Sequence, residues 1–435
     1  MRSISLILCL FVSVLGFAQG PNAFSRGDID AIYPSIEALY LDLHRNPELS
    51  SHEVITAAKL ADAARKLGFE VTTNVGGTGV VAILRNGGGP TVMVRTELDA
   101  LPVAEATGLP YASQVRTKDS AGNEVAVMHA CGHDVHMSTW VASATLLSQH
   151  RDLWHGTLMM IAQPAEETLG GAAGMLKDGL FTRFPKPDFA LAVHDDDGIP
   201  AGQVGLTSGY SLAASDSVDL TIYGRGGHGA KPQMTVDPIV IAARTIVALQ
   251  TIVSRETDPN DPAVITVGSI HGGTKHNIIP DEVRLQLTVR SYREEVRQHL
   301  LSAIERVARA EAEAAGAPQA PEMKVVDSTH AVFNDPALTR RIEAALRRTL
   351  GDANVLEIRP KMVSEDFSEY GRAGLPTLII HVGAVNPQKY RAAKASGEPL
   401  PSLHSSRFFP DREPTIKTAI LTETSAVLEL MGTRH

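Results

Sequence analysis

Apolar residues recur at helical spacing between Asp28 and Leu67. Ile32, Ile36, Tyr40 and Leu43 form one stripe, and Ala57, Leu60, Ala64 and Leu67 form a second. Pro47 separates the two, because proline cannot continue a helix, and Gly68 suits the end of the second. Beyond them the period changes. Val80–Leu84 and Thr91–Val94 are short apolar runs that read as strands around the turn Asn86–Pro90. Similar runs return at Thr157–Ala162, Phe189–Val193 and Thr377–Ile380, with helical patterns between several of them. Continuous runs suit strands buried on both faces, which predicts a largely parallel α/β sheet. Several of these runs end in reactive side chains: Arg95-Thr-Glu-Leu-Asp99, Gln163-Pro-Ala-Glu-Glu167, His194-Asp-Asp-Asp197 and His381. Ligands of such sheets gather beyond the carboxyl ends of the strands.

Near Ser211 the pattern becomes alternating. Val218, Leu220 and Ile222 oppose Asp219 and Thr221; Val283, Leu285, Leu287 and Val289 oppose Arg284, Gln286, Thr288 and Arg290. With helices over Pro238–Ser254 and Arg293–Ala315 and strands at Ala263–Ile270 and Met323–Val326, the order is βαββαβ. Half-polar strands in that order suggest a ferredoxin-like antiparallel sheet with helices on one face. The predicted fold is therefore α/β: a mostly parallel-sheet catalytic domain in two parts, 19–211 and 328–435, with an inserted ferredoxin-like α+β domain at 212–327.

Composition narrows the classes. Of 435 residues, 43% are hydrophobic and 20% charged, ordinary for a soluble globular chain. The net charge is -9 and no long basic run exists, which argues against nucleic acid as a partner. Residues 1–18 read as a signal peptide: Arg2 is the charged start, Ile4–Phe17 the apolar stretch, and Gly16-Phe-Ala18 a small-residue cleavage site. Export to the periplasm or medium is expected, with no membrane span in the mature chain. Cys9 would leave with the leader, so Cys131 would be the only remaining thiol and no intrachain disulfide could form.

That thiol sits in Met128-His-Ala-Cys-Gly-His-Asp134, just before an apolar helical pattern. Cys131 and His133 can turn a soft sulfur and an imidazole toward one ion, and a helix N-terminus there would favour a thiolate. In Gln163-Pro-Ala-Glu-Glu167 the adjacent carboxylates point different ways. Glu167 can bind metal while Glu166 serves as base to an activated water. Together with the single histidines His194 and His404, these residues fit a site for two divalent ions. Zn or Mn come first, and Co or Ni are also compatible with such a ligand set.

At this point the chain resembles the co-catalytic metal amidohydrolases that include aminoacylases, hippurate hydrolases and indole-acetyl-amino-acid hydrolases. The resemblance runs in order through Leu43–Ser50, Leu98–Pro102, His129–Asp134, Gln163–Glu167, Gly224–Gly229, Gly272–Asp281, Ser364–Ser368 and His404-Ser405. It implies a two-metal catalytic domain with a lid that often dimerises, hence a likeness to homodimers. Cys131, His133, Glu167, His194 and His404 would be the metal ligands and Glu166 the general base. His228 in the lid would act in catalysis, holding the scissile carbonyl or its oxyanion, and Asn277 would bind substrate, sometimes across a dimer interface. Arg290 would clamp a substrate carboxylate.

The chain departs from the family pattern in three places. Glu97 stands where the family has Asp, Asp195-Asp-Asp197 replaces apolar residues and reads as a solvated turn, an added negative field that disfavours anionic substrates, or a site for another cation, and Lys231-Pro-Gln233 lacks a common His. The implied activity is metal-dependent hydrolysis of N-acyl amino acids or small peptide-like amides. Two other readings remain. Cys131 could be a nucleophile activated by His129 or His133, or the chain could be an exported metal- or ligand-binding protein without turnover.

Overall fold

The computed structural model describes residues 23–432; the leader expected at 1–18 lies outside the described residues. Helix Arg26–Arg45 opens with a capping box at Ser25 and Asp28 and ends at Asn46, one residue before Pro47. Pro34 lies inside this helix. Val54–Lys66 follows, and Gly68 adopts φ +84° just past its end.

One sheet of eight strands forms the larger half. Its order is Glu70–Val75, Gly79–Asn86, Gly156–Gln163, Thr91–Glu97, Phe189–Pro200, Thr377–Val385, Val204–Leu206 and Val355–Glu357. The four long central strands are mutually parallel, and the flanking pairs of the first strands are antiparallel, so the sheet is mixed. The runs Val80–Leu84 and Thr91–Val94 are strands, but they do not pair with each other. Gly156–Gln163 lies between them. The Glu70–Val75 strand was not visible as a pattern, because only Val75 is buried and the rest lies on an open edge.

Both faces of the central strands are covered. Val92, Val94, Leu158, Met160, Leu191 and Val193 join the core under helices His133–Gln149 and Arg412–Met431. Met93, Met159, Ile161, Ala190 and Ala192 face a second cluster with Phe367 and Tyr370. This two-sided burial is why the strands read as continuous apolar runs.

The inserted unit has the expected order. Ala214–Tyr223, Ala263–His271, Glu282–Ser291 and Glu322–Thr329 form an antiparallel sheet, with Pro238–Thr251 and Glu294–Ala314 as its helices. Val218, Leu220, Ile222, Val283, Leu285, Leu287 and Val289 are buried against those helices. Each such side chain contributes about 1.5–3 kcal/mol, so this one apolar face accounts for the unit's cohesion. The helical stretch Pro238–Glu256 is long and apolar enough to span a bilayer, which corrects the sequence reading that nothing after the leader is. Here Ile241, Ala242, Thr245 and Leu249 are buried in the unit.

Candidate functional site

The cleft between the two sheets is built from strand ends and one turn. Gly132 takes φ +74° at the start of helix His133–Gln149, and a Cβ there would collide with the Asp195 carboxylate. The turn sets Cys131 and His133 on one side. Cys131 Sγ lies 3.6 Å from His194 Nε2 and 3.3 Å from His404 Nε2. The Glu167 carboxylate is 3.5 Å from His404 Nε2 and 4.0 Å from His133 Nε2. Five side chains spread over more than 270 positions therefore meet in one place. Cys131, His133 and Glu167 offer ligand atoms within 4.8 Å of one another, and Glu97, His133, His136 and His194 form a second such cluster.

The ligand rings are held from behind. The His133 Nδ1–H donates to the Asp99 carbonyl at 2.7 Å, and His194 Nδ1–H to the Asp195 carbonyl at 2.7 Å, which leaves each Nε2 lone pair for the centre. Asp99 also accepts from the Glu167 backbone N–H at 2.9 Å and from Ser50 Oγ at 2.6 Å. His133 Nε2 and Glu167 Oε1 are buried with no hydrogen-bond partner, which is costly unless a cation joins them.

Proton affinities agree. Burial pushes Glu167 up to about 7, against the pull of His133. Burial would depress His133, but Asp99 and the carboxylates of Glu97 and Glu167 raise it to about 10. The cluster thus gathers protons where positive charge is missing, and its donor set (one thiol, imidazoles and carboxylates) fits divalent Zn or Mn. Cys131 is pushed well above the ordinary thiol range by burial and by Glu167, Glu166 and Asp195, which outweighs the helix N-terminus expected to favour its thiolate. Burial pushes His194 well down, which keeps it a neutral donor.

Glu166 lines the cleft, 3.9 Å from His133 Nε2. Burial, then Glu365 and Glu167, hold its carboxyl well above the usual range. Arg95 lies beneath, donating to Glu365 at 2.7 Å, to Asp366 at 3.1 Å and to Glu97. The longer Glu97 also accepts from His136 Nδ1–H at 2.9 Å, so the extra methylene links Arg95 to the helix that carries His133. The triple aspartate is no solvated turn: Asp195 and Asp196 are buried within the Phe189–Pro200 strand. Asp196 binds Lys361 and lies 3.3 Å from His381 Nδ1. Burial alone would raise its pKa; His381 and Lys361 reverse the sign and hold it low.

The cleft encloses about 770 Å³. The polar face of the inserted sheet supplies Ser215, Ser217, Thr288 and Arg290 as one wall. Arg290 donates to the Met362 carbonyl at 2.9 Å, and only burial shifts its pKa, since no carboxylate faces it among the described residues. His228 and Asn277 are not brought here. Both are exposed, His228 on a small ladder of Gly227–His228 with Ile278–Ile279 and Asn277 in the turn before it, and neither lines the cleft of its own chain. Sequence reasoning did not single out His136 or Lys361, and it placed Asp196 and His381 only at strand ends, without joining them. The spacing of His133 and His136 on one helix face was the only available signal for the first.

The family model described as Peptidase family M20/M25/M40 matches residues 93–398. The chain belongs to that family. It is a metal-dependent amidohydrolase. This M20-family enzyme is 34% identical to a thermostable carboxypeptidase 2 of Saccharolobus solfataricus over 89% of its own length and 93% of the relative's. It is 37% identical to a hippurate hydrolase of Campylobacter jejuni, covering 76% and 83% of the two chains. Among solved structures it is similar to the YXEP protein of Bacillus subtilis, a dinuclear metal binding peptidase from M20 family, with a TM-score of 0.75 and 28% identity, over 92% and 99% of the chains.

Proposed function

We propose that the enzyme cleaves N-acyl amino acids or small peptide-like amides with Glu166 as general base, Cys131, His133, Glu167, His194 and His404 holding two divalent ions, and Arg290 receiving the substrate carboxylate. The observation that carries this is the convergence of the five donors beside the Glu166 carboxylate, which lies 3.9 Å from His133 Nε2. Ions held there polarise a carbonyl oxygen and make water a stronger acid. Glu166 then takes the water proton and returns it to the leaving nitrogen, a task suited to a carboxyl whose proton affinity is already raised. Arg290, free of any acid partner, can engage a carboxylate with two donors. The names hippurate hydrolase and carboxypeptidase, carried by relatives, both describe cleavage next to a free carboxylate.

His228 and Asn277 complete the reading through a homodimer. Val240 and Val247 on one insert helix, Ile270 on the edge strand and Ile278 paired with His228 are exposed apolar side chains of the insert. Pairing of two inserts would cover apolar surface and offer the His228 loop to the neighbouring chain's cleft, where donors to a developing oxyanion are needed. A Cys131 nucleophile is disfavoured, because its environment raises the thiol pKa, the opposite of activation. The test is turnover of an N-acyl amino acid panel by Zn- or Mn-loaded protein. Activity abolished by a chelator and restored by added Zn or Mn supports the reading; chelator-resistant activity overturns it.

A further inference from the structure

Three residues at the cleft form a unit that amide hydrolysis does not itself use: Asp196, Lys361 and His381. His381 pairs in register with His194 on the neighbouring parallel strand, and the two rings stand 6.4 Å apart. Lys361 precedes Met362, whose carbonyl holds Arg290. The unit therefore spans the distance from the metal ligands to the carboxylate clamp. Asp196 organises it. One carboxylate oxygen accepts from the Gly198 N–H at 2.8 Å; the other accepts from Lys361 Nζ and lies 3.3 Å from His381 Nδ1. Fully buried and absent from the cleft wall, Asp196 is a positioning residue rather than a binding group.

What the unit presents follows from that bonding. A neutral imidazole that donates through Nδ1 keeps a lone pair at Nε2. His381 is 4% exposed, borders the cleft, and its Nε2 has no partner. A buried acceptor left bare costs about 1–3 kcal/mol, recoverable when a ligand supplies a donor. Lys361 has ammonium hydrogens beyond the one given to Asp196, and also borders the cleft. An acceptor and a donor thus border the same cleft, both reaching it from around one Asp196 oxygen. No Phe, Tyr or Trp side chain borders this cleft among the described residues.

We propose that Lys361 and His381 form a specificity subsite for the side chain of the leaving amino acid, and that it selects a side chain ending in a carboxamide. This rests on the proposed function: with the scissile carbonyl at the metal ligands and the carboxylate on Arg290, the part of the substrate between them is the amino acid's α-carbon and side chain. A carboxamide N–H meets Nε2 while its oxygen meets Lys361. An isobutyl group offers neither, and a carboxylate sets an oxygen against the Nε2 lone pair.

The experiment compares N-acetyl-L-asparagine, N-acetyl-L-leucine and N-acetyl-L-aspartate, which are close in shape, as substrates of the Zn- or Mn-loaded enzyme. Wild type is expected to show kcat/KM for asparagine at least about tenfold above either other compound, as for a site that loses a hydrogen-bonded partner. His381→Phe and Lys361→Met bring the asparagine-to-leucine ratio near one, mainly through KM, with bound metal unchanged; His381→Gln, which keeps an acceptor, restores part of it. A wild-type ratio of one or less, or a preference for aspartate, overturns the subsite whatever the variants do. Calorimetric binding of the same three compounds to metal-loaded Glu166→Gln protein reads the ratio without turnover. Selective binding with no hydrolysis by wild type defeats the proposed activity and keeps the subsite; unselective hydrolysis defeats the subsite and keeps the activity; absence of both binding and hydrolysis defeats both.

Discussion

The two sides of the cleft handle charge in opposite ways. Beneath the metal cluster, Arg95, Glu97, Asp99, Asp134, Asp195, Asp196, Glu365 and Asp366 are all almost fully buried. The inserted unit buries a plain Val, Leu and Ile face instead. Its one deep ion pair, Arg297 with Asp216 at 2.6 Å, sits where the unit meets the rest of the chain, and pairs such as Arg244–Glu311 and Arg284–Glu282 lie at the surface. Burying an ion costs several kcal/mol unless it is paired and hydrogen-bonded. The catalytic half accepts that cost repeatedly, and its charges form a connected frame around the donors. The insert accepts it once and otherwise acts as a shaped wall with a polar inner face. One side gathers buried charge around the candidate metal ligands; the other lines the cleft with a polar wall.

If this division is right, the largest effect belongs to the side that moves protons. Glu166→Gln should lower kcat by about a thousandfold, in the upper range for loss of a positioned proton acceptor. Bound metal, read by elemental analysis, should stay at the wild-type ratio, because the ligands are untouched. Retention of full activity would remove Glu166 from the chemistry. The next effect tests whether the insert serves its own cleft. His228→Ala alone should reduce turnover by about a hundredfold, as for an oxyanion donor. Mixed in equal amounts with inactive Glu166→Gln protein and allowed to exchange subunits, it should recover about a quarter of wild-type activity, since half the dimers would carry one intact site of two. No recovery would mean that His228 acts within its own chain or not at all.

The sequence made the two sides legible to different degrees, for physical reasons. Candidate ligands at strand ends were readable because a parallel sheet delivers them together: Glu167 and His194 follow apolar runs whose burial on both faces left a clear pattern. His404 lies in a loop at φ +66°, so no apolar run marked it; it stood as a single histidine until the family resemblance gave it a ligand's role. The βαββαβ insert was readable from alternation alone. The frame under the metals was not. Whether Asp196 is solvated or buried depends on Lys361 and His381, more than 160 residues away, and three neighbouring acids look the same in a turn as in a buried strand. Glu97 was recognised as a departure, yet its reach to Arg95 and His136 needed the geometry. His228 shows the converse: its motif is plain in the sequence, but a single chain leaves it at the surface.

A smaller effect should come from the substrate wall. Arg290→Met removes donors to a carboxylate, an interaction worth about 1.5–3 kcal/mol, so kcat/KM should fall roughly 10- to 100-fold. Steady-state kinetics should place most of that loss in KM, with a much smaller change in kcat, as expected when binding is lost equally from ground and transition states. The same substitution should leave hydrolysis of an amide lacking a carboxylate little changed. An equal loss on both substrates would turn Arg290 into a packing residue.

The smallest effect on turnover, and the sharpest contrast between the halves, concerns stability. His44 is buried, its Nδ1 2.6 Å from Asp134 and its Nε2 3.3 Å from Glu105. Burial alone would depress its pKa, but the hydrogen bonds to Asp134 and Glu105 hold it at about 9. Unfolded, it would titrate near the ordinary value of about 6.5. The folded state therefore binds this proton more tightly. The stabilisation is complete below about pH 6.5 and is lost as pH rises toward 9. Urea unfolding of wild type and His44→Gln, both metal-loaded, should show a stability difference that shrinks steadily across that window. Arg297→Met in the insert should show a difference that stays flat, because a guanidinium keeps its charge throughout. A flat profile for His44→Gln would mean that this part of the frame carries no proton, and that the two halves differ in packing rather than in stored charge.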